Sequence, residues 1–272
     1  MPIFEFLQQH LTIVLSLATT GVIAGLLAGL LGVGGGIVIV PVLFFLLQAN
    51  GVSADSAMLI ATATSLATMI PTSISSIRAH QQKGNVDWLL LKRWGLCIVG
   101  GVLFGSWLVT KVSGSWLTML FGLIATLAAL NMLFRSGRTA LFPQLPRLAA
   151  QRLMGSGIGF FSSMVGIGGG TMSVPLLTLY NYPAHKAVGT AAAIGLLIAL
   201  PGATTLFLLG QTPQDAPTAT FGLVNLLGFC CIVPMTVLCA PLGAALGARL
   251  DGALLKKVFA LVLLCTGIRM LI

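Results

Sequence analysis

Two stretches of this chain, GVGGGIVIVP at residues 32–41 and GIGGGTMSVP at residues 166–175, carry the same glycine run followed by a proline at the same distance. Glycine runs do not continue a helix cheaply, because glycine loses more backbone entropy than alanine and adds no side chain to pack. In a membrane, unwound backbone leaves N–H and C=O groups unpaired unless they are buried in protein or line a polar cavity. A break that occurs twice therefore indicates a binding site.

The composition is typical of a polytopic membrane protein. Of the 272 residues, 57% are hydrophobic and 7% are charged, and the mean hydropathy is +1.05. Soluble domains are far more polar than this. Apolar stretches close to the ~20 residues that cross a bilayer recur along the chain, and three shorter ones are interpreted as half-spans. The long stretches are 11–31, 56–77, 94–110, 115–134, 187–209, 220–247 and 255–271, and the short ones are 37–48, 153–165 and 171–181.

Similarity between the two halves extends beyond the glycine runs. The pair Gly21-x3-Gly25 matches Gly155-x3-Gly159, and we interpret such spaced glycines as close helix packing. An internal duplication explains this similarity. It divides the chain into an N-terminal transmembrane repeat (1–134), a cytoplasmic basic linker (135–152) and a C-terminal transmembrane repeat (153–272). The predicted fold is an all-α polytopic membrane protein with two inverted repeats, each a re-entrant or broken helical hairpin plus about three transmembrane helices.

The inversion follows from the distribution of basic residues. Cytoplasmic loops of membrane proteins carry an excess of Lys and Arg. If each repeat crosses the membrane an even number of times, the 14 Lys and Arg residues divide nine to five; if the number is odd, they divide twelve to two, with only Lys111 and Arg269 outside. The second topology is favoured and places both termini on the extracytoplasmic side of the cell inner membrane. It also explains the net charge of +9 without a nucleic-acid partner.

Each glycine run is predicted to be the tip of a hairpin near the bilayer midplane, so that two hairpins from opposite faces bring their tips together. The second half-helix begins near Ile37 or Thr171, and its free N–H groups and positive dipole end favour an anion. Pro41 and Pro175 lack the N–H that would bond the carbonyls one turn earlier, which leaves an acceptor near each tip. The predicted substrate-binding backbone comprises Gly34, Gly35, Gly36, Ile37, Pro41, Gly168, Gly169, Gly170, Thr171 and Pro175.

The spans after the hairpins add hydroxyl groups that could donate to an anion. They are Thr62, Thr64, Ser65, Thr68, Thr72, Ser73, Ser75, Ser76, Thr190, Thr204 and Thr205. For most of them the alternative is a hydrogen bond to the helix carbonyl one turn earlier, which is common for Ser and Thr in membrane helices. Thr64, Ser65 and Thr190 are the best candidates for the substrate, because they come early in the span after each hairpin.

Titratable residues lie at the ends of the predicted spans. Arg78 and His80 could gather an anion at the cytoplasmic entrance, although interface anchoring explains them equally well. The acids Glu5, Asp55, Asp87, Asp215 and Asp251 all lie near loops or ends. This argues against a buried carboxylate relay, and proton coupling stays open, as does homodimerisation.

Enzymatic interpretations are not supported. The glycine runs lack the last glycine and the acidic residue of a dinucleotide fingerprint. No metal-ligand cluster or Ser–His–Asp arrangement is visible in the sequence. We therefore expect no enzymatic activity, no metal and no cofactor.

The glycine segments at 25–43 and 159–177, the segment ATSLATMIPTSISSIRAH at 63–80 and the pattern at 101–122 resemble the TauE/SafE sulfite exporter family over nearly the whole chain. The resemblance implies a secondary transporter of the inner membrane for sulfite, sulfoacetate or other organosulfonates. It implies roles for Gly34–Gly36, Gly168–Gly170, Pro41 and Pro175, and also for Thr64 and Ser65. The second repeat departs from the family pattern at residues 189–192, where Thr190 is followed by Ala191 instead of serine.

The resulting hypothesis is an exporter that holds a small anion between the two tips and releases it by alternating access. Three alternatives stay open: an anion channel with the same site, a transporter of another small anion such as a carboxylate, and a structural or regulatory membrane subunit.

Overall fold

The computed structural model describes residues 3–32, 34–134, 141–247 and 252–272. Within these ranges the chain is almost entirely helical, and the only strands form one short hairpin. The elements are α1 (Ile3–Leu31), α2 (Gly36–Ala49), α3 (Ala54–Gln81), α4 (Trp88–Val109), α5 (Gly114–Phe134), α6 (Leu148–Val165), α7 (Gly170–Leu179), α8 (Ala184–Leu209), β1 (Thr220–Phe221), β2 (Val224–Asn225), α9 (Leu226–Leu246) and α10 (Gly252–Leu271).

The helix lengths confirm the all-α polytopic membrane fold. Among the described residues, 6 helices are long and apolar enough to cross a membrane. Helices α2 and α7 are shorter apolar helices, as predicted for two of the three half-spans, whereas α6, which contains the third, has 18 residues. Large apolar side chains face outward, for example Leu96, which is 88% exposed. One predicted span was wrong at its start, because residues 220–225 form a β-hairpin before α9. Positive φ angles at Ala219 (62°) and Gly222 (56°) turn the chain there.

Polar residues fix where the central helices begin. The Ser53 hydroxyl accepts a hydrogen bond from the N–H of Ser56 at the start of α3. Asp87 accepts two from the first turn of α4, and Asn225 accepts one from Gly228 at the start of α9. Such caps satisfy N–H groups that the first turn of a helix leaves free.

Helices α3 and α8 run antiparallel along each other through the bundle. Asp87, which follows α3, accepts a hydrogen bond from Tyr182, which precedes α8. At the opposite end Asp215, which follows α8, accepts one from Ser56 in the first turn of α3. We call these two ends of the bundle the Asp87 end and the Asp215 end.

Spaced glycines let α1 and α9 pack in parallel. A Cβ atom on Gly21 would lie 2.7 Å from the carbonyl oxygen of Ile232, and one on Gly29 would lie 1.8 Å from that of Ala240. Helices α4 and α6 pack in the same way, with Gly159 against the backbone of Ile98. The interpretation of the spaced glycines as close packing is confirmed.

The packing partners are exchanged between the halves. The first helix of each half packs on the fourth helix of the other, as α1 on α9 and α6 on α4, while α3 packs on α8 and α5 on α10. A two-fold relation between halves of opposite direction produces this pattern. The inverted duplication stays a prediction, which these pairings support.

Candidate functional site

The two glycine tips meet in the interior of the bundle. A Cβ atom on Gly34 would lie 3.4 Å from the Cα atom of Gly168, and one on Gly36 would lie 2.4 Å from the carbonyl oxygen of Gly166. Ser65 and Met69, near the middle of α3, lie against Gly36. Helices α2 and α7 therefore begin close to each other, half-way along α3.

The first tip has a left-handed backbone. Gly32, Gly34 and Gly35 have φ angles of 66°, 76° and 78°, which L-residues with a side chain rarely adopt. The N–H groups of Val38 and Ile39 donate to the carbonyl of Gly35 at 3.0 and 3.2 Å. Helix α2 thus begins at Gly36, one residue before the predicted Ile37, and contains Pro41.

The second tip has a different backbone despite its matching sequence. Gly166 ends α6 with a φ of 68°, but Gly169, which precedes α7, has a right-handed helical φ of −54°. The N–H of Thr171 donates to the carbonyl of Gly168 at 3.3 Å, and that of Ser173 donates to Gly169 at 2.8 Å. Helix α7 begins at Gly170 and contains Pro175.

Two of the predicted substrate hydroxyls join the halves of the protein. The Thr64 hydroxyl accepts a hydrogen bond from the backbone N–H of Asn225 at 2.9 Å. The Thr190 hydroxyl accepts one from the backbone N–H of Asp87 at 3.0 Å. Each threonine thus fixes the residue before a helix of the other half, an equivalence that supports the two-fold relation.

Ser65 connects α3 to the second tip. Its hydroxyl donates to the carbonyl oxygen of Gly166 at 2.8 Å, and its side chain is fully buried. The structure therefore places Ser65 where the two tips meet.

Several other span hydroxyls form the predicted bonds to their own helix. Thr72, Thr204 and Thr205 donate to the carbonyl four residues earlier. Others have no partner: among the described residues around the tips, the buried hydroxyls that make no hydrogen bond are those of Thr62, Ser73, Thr171 and Ser173.

The two predicted entrance residues have different environments. Arg78 is exposed near the end of α3, whereas His80 is buried. The Nε2 atom of His80 lies 2.8 Å from the carbonyl oxygen of Gly29, so it donates to the last turn of α1. His80 therefore holds α1 against α3.

A carboxylate joins the two halves at the Asp87 end, and its partner Tyr182 could not be predicted from the sequence because it lies far away in the chain. Burial alone would raise the pKa of Asp87. Hydrogen bonds from Tyr182 and from the N–H groups of Leu90 and Leu89, with the charge of Lys186, outweigh burial and lower that pKa. Burial and the bond to Asp87 raise the pKa of Tyr182, so Tyr182 stays a donor.

A second carboxylate joins the two halves at the Asp215 end in an equivalent way. Asp215 accepts hydrogen bonds from the Ser56 hydroxyl at 2.5 Å and from the backbone N–H of Ser53 at 2.8 Å. Hydrogen bonds from Ser53 and Ser56 lower the pKa of Asp215 to about 2. Aspartates before or after a helix were the only sequence signal for these contacts.

The fold and the central tips together define a multi-pass α-helical membrane protein with two broken segments that meet between its halves, an organisation known from secondary transporters. The family described as sulfite exporter TauE/SafE matches residues 17–270. The chain belongs to this family, and the resemblance noted in its sequence is confirmed.

Relatives named as probable membrane transporter proteins occur in distant organisms. One from Haemophilus influenzae is 30% identical over 95% of this chain and 98% of its own length. One from Bacillus subtilis is 26% identical over 94% and 96%, and one from Methanocaldococcus jannaschii is 28% identical over 73% of each chain. No solved structure matches significantly. Family and relatives support a membrane transporter.

Proposed function

We propose that this protein is a secondary transporter, an exporter of small sulfur-containing anions such as sulfite or an organosulfonate, with its substrate held where the two glycine tips meet. The observation that carries the proposal is the meeting of the α2 and α7 N-termini inside the bundle, where Gly36 and Gly168 lie beside the opposite tip.

The electrostatics of this site suit an anion without a buried cation. A helix N-terminus carries a partial positive charge and free N–H groups, so it attracts an oxyanion. Asp87 and Asp215 lie at the two ends of the bundle, far along α3 and α8 from the tips. The negative charges of these aspartates are therefore too distant to cancel the positive potential at the tips.

Alternating access is supported by the two carboxylate contacts. Both Asp87–Tyr182 and Asp215–Ser56 join one half of the chain to the other, and they lie at opposite ends of the antiparallel pair α3 and α8. Breaking one contact while the other holds would open the bundle at one end only. We propose that these contacts close the two sides of the transport path.

For the orientation we propose that the Asp87 end faces the cytoplasm of a cell whose inner membrane holds the protein, with both termini outside. Arg78 and Lys83 lie at the end of α3 and Lys186 at the start of α8, all at the Asp87 end. Arg269 stacks over the ring of Phe45, near the end of α2 that points the other way. The positive-inside rule then selects this orientation.

The test measures flux in liposomes. Purified full-length protein is reconstituted, and uptake and efflux of sulfite, an organosulfonate, sulfate and a small carboxylate are followed with and without a pH gradient. We expect saturable flux of a sulfur oxyanion that Gly35→Leu and Gly169→Leu abolish. Gly157→Leu is the matched control, because no atom lies within 4 Å of a Cβ atom on Gly157.

Each rival function has its own outcome. Flux that neither saturates nor exchanges would indicate a channel, and flux of the carboxylate alone would change the substrate class. No flux of any anion by correctly inserted protein would overturn the proposal in favour of a structural subunit. A pH gradient that drives accumulation would establish proton coupling.

A further inference from the structure

The strongest unexplained feature of the interior is its set of hydroxyls without partners. Thr62, Ser73, Thr171 and Ser173 are 0%, 1%, 7% and 0% exposed, and none of these hydroxyls makes a hydrogen bond. Burying a hydroxyl without a partner is unfavourable, because the group loses its hydrogen bonds to water. A membrane bundle with many apolar positions has no structural need for that cost.

The other half of the protein does without these hydroxyls. Aligned on the glycine runs, Thr171 corresponds to Ile37 and Ser173 to Ile39. When α3 and α8 are aligned on Thr64 and Thr190, Thr62 corresponds to Val188 and Ser73 to Ala199. Ile37, Ile39 and Ala199 are themselves buried. The fold therefore accepts apolar side chains at equivalent positions, so packing does not explain the hydroxyls.

Two of the four hydroxyl-bearing residues flank the N-terminus of α7. Thr171 belongs to the first turn of that helix. The Ser73 hydroxyl lies 3.2 Å from the place of a Cβ atom on Gly195, and the backbone N of Gly195 lies 3.2 Å from the place of a Cβ atom on Gly169. The Ser73 hydroxyl therefore lies against Gly195, which in turn packs against the residue that precedes α7.

The N-terminus of α2 is already faced by an oxygen atom. The carbonyl oxygen of Gly166 lies against Gly36, and Ser65 donates to the same carbonyl. A carbonyl oxygen carries a partial negative charge, which opposes an anion beside the first residue of α2. The aligned positions Gly35 and Gly169 differ in the same way. A Cβ atom on Gly35 would lie 3.0 Å from the carbonyl oxygen of Ala24, whereas the nearest neighbours of one on Gly169 are the side chain of Ile194 and the backbone N of Gly195.

We infer that the substrate site is one-sided: a single oxyanion binds at the N-terminus of α7, where the hydroxyls of Ser73 and Thr171 donate to it, and none binds at α2. This inference rests on the proposed transport of small anions and names the residues that select an oxyanion. Thr64 and Thr190 keep their role in joining the halves.

The test compares the KM for sulfite flux with thermal unfolding of the same variants. Thr171→Val and Ser73→Ala should each raise the KM roughly tenfold or more, because each removes a hydrogen bond to a charged group. Their unfolding midpoints should stay equal to that of the wild type or rise, since the hydroxyls have no partner in the protein. Thr171→Ser should keep the wild-type KM.

Matched controls separate the site from general effects of losing a hydroxyl. Thr205→Val and Ser106→Ala remove buried hydroxyls that bond to their own helices, and both should leave the KM unchanged.

The outcomes distinguish this inference from the proposed function. Wild-type flux with an unchanged KM in Thr171→Val and Ser73→Ala would overturn the one-sided site and leave the transporter standing. A lower unfolding midpoint with an unchanged KM would make the hydroxyls structural. Wild-type protein that neither moves any anion nor is stabilised by sulfite would overturn both.

Discussion

The two glycine tips have matching sequences but need their glycines for different reasons. At the first tip Gly35 has a φ of 78°, a conformation that disfavours any side chain. At the second tip Gly169 has a φ of −54°, which every residue adopts, but a Cβ atom there would lie 2.5 Å from Cγ2 of Ile194. At this position of the motif, glycine thus answers a backbone requirement in one half and a packing requirement in the other.

A motif that occurs twice does not give two identical sites. The matching glycine runs indicate that the helix is interrupted in both halves. The residues packed around each interruption decide which groups face it. The carbonyl of Gly166 lies against the first tip, whereas Ile194 and Gly195 lie against the second. The second tip is also the one that carries the hydroxyl of Thr171, which makes no hydrogen bond.

The largest expected effects come from alanine at the tips. Gly35→Ala should destabilise by ~1–2 kcal/mol through the left-handed backbone, and Gly169→Ala by ~1–3 kcal/mol through crowding. Double-mutant cycles tell the causes apart. We expect strong coupling between Gly169→Ala and Ile194→Ala, because the second change removes the crowding atom. Coupling between Gly35→Ala and Ala24→Gly should be weaker, because a Cβ atom on Gly35 would lie 3.1 Å from that of Ala24 and the backbone conformation supplies most of the cost. Equal coupling in both cycles would contradict the comparison.

The threonines that join the halves should give effects that match each other. Thr64→Val and Thr190→Val each leave a backbone N–H, of Asn225 or Asp87, without its acceptor. We expect a loss of ~1–3 kcal/mol in each case, measured as a lower unfolding midpoint in detergent. Thr64→Ser and Thr190→Ser keep the hydroxyl and serve as controls. A stable Thr64→Val beside an unstable Thr190→Val would show that the two joints are not equivalent.

The smallest effect concerns the exposed carboxylate Asp215. Its pKa falls from 3.8 to about 2 on folding. A lowered pKa stabilises the folded protein above pH 3.8, and this contribution is lost as the pH falls toward 2. The unfolding midpoint of the wild type should therefore approach that of Asp215→Asn in acid, and Ser56→Ala should reduce the difference at neutral pH. A difference that is constant with pH would rule out this carboxylate as the cause.

The Asp87 end offers the matching acid test. The pKa of Asp87 is also lowered, and Tyr182→Phe removes the strongest partner that lowers it. We expect Tyr182→Phe to reduce the loss of stability in acid that comes from Asp87, and to leave the loss that comes from Asp215 unchanged. The measurement is the unfolding midpoint as a function of pH. In Tyr182→Phe, added salt should further reduce the acid-dependent loss of stability that comes from Asp87, because Lys186 lowers the pKa of Asp87 through its charge.

Much of the molecule follows from local sequence. Apolar stretches identify the membrane spans, because the bilayer thickness sets their length. Glycine runs identify the breaks, because glycine has a low helix propensity. Helices α2 and α7 begin within one residue of the predicted positions, at Gly36 and Gly170. The β-hairpin at 220–225 was missed, since its apolar residues look like the start of a span.

The roles of individual hydroxyls could not be predicted from spacing alone. Thr64 and Ser73 both carry a hydroxyl on α3. The Thr64 hydroxyl accepts a hydrogen bond from the N–H of Asn225, whereas the Ser73 hydroxyl has no partner. His80 likewise ends α3 like an interface residue but is buried against Gly29. Each of these environments is created by chain more than 40 residues away.

The sequence by itself determined the class of protein and the place of the two breaks, because these depend on hydropathy and backbone flexibility along the chain. Only the tertiary structure decided which groups meet at the breaks: that a carbonyl oxygen lies against α2, that hydroxyls flank α7, and that a carboxylate joins the halves at each end. These contacts depend on how helices distant in sequence cross, and a one-dimensional pattern does not contain that geometry.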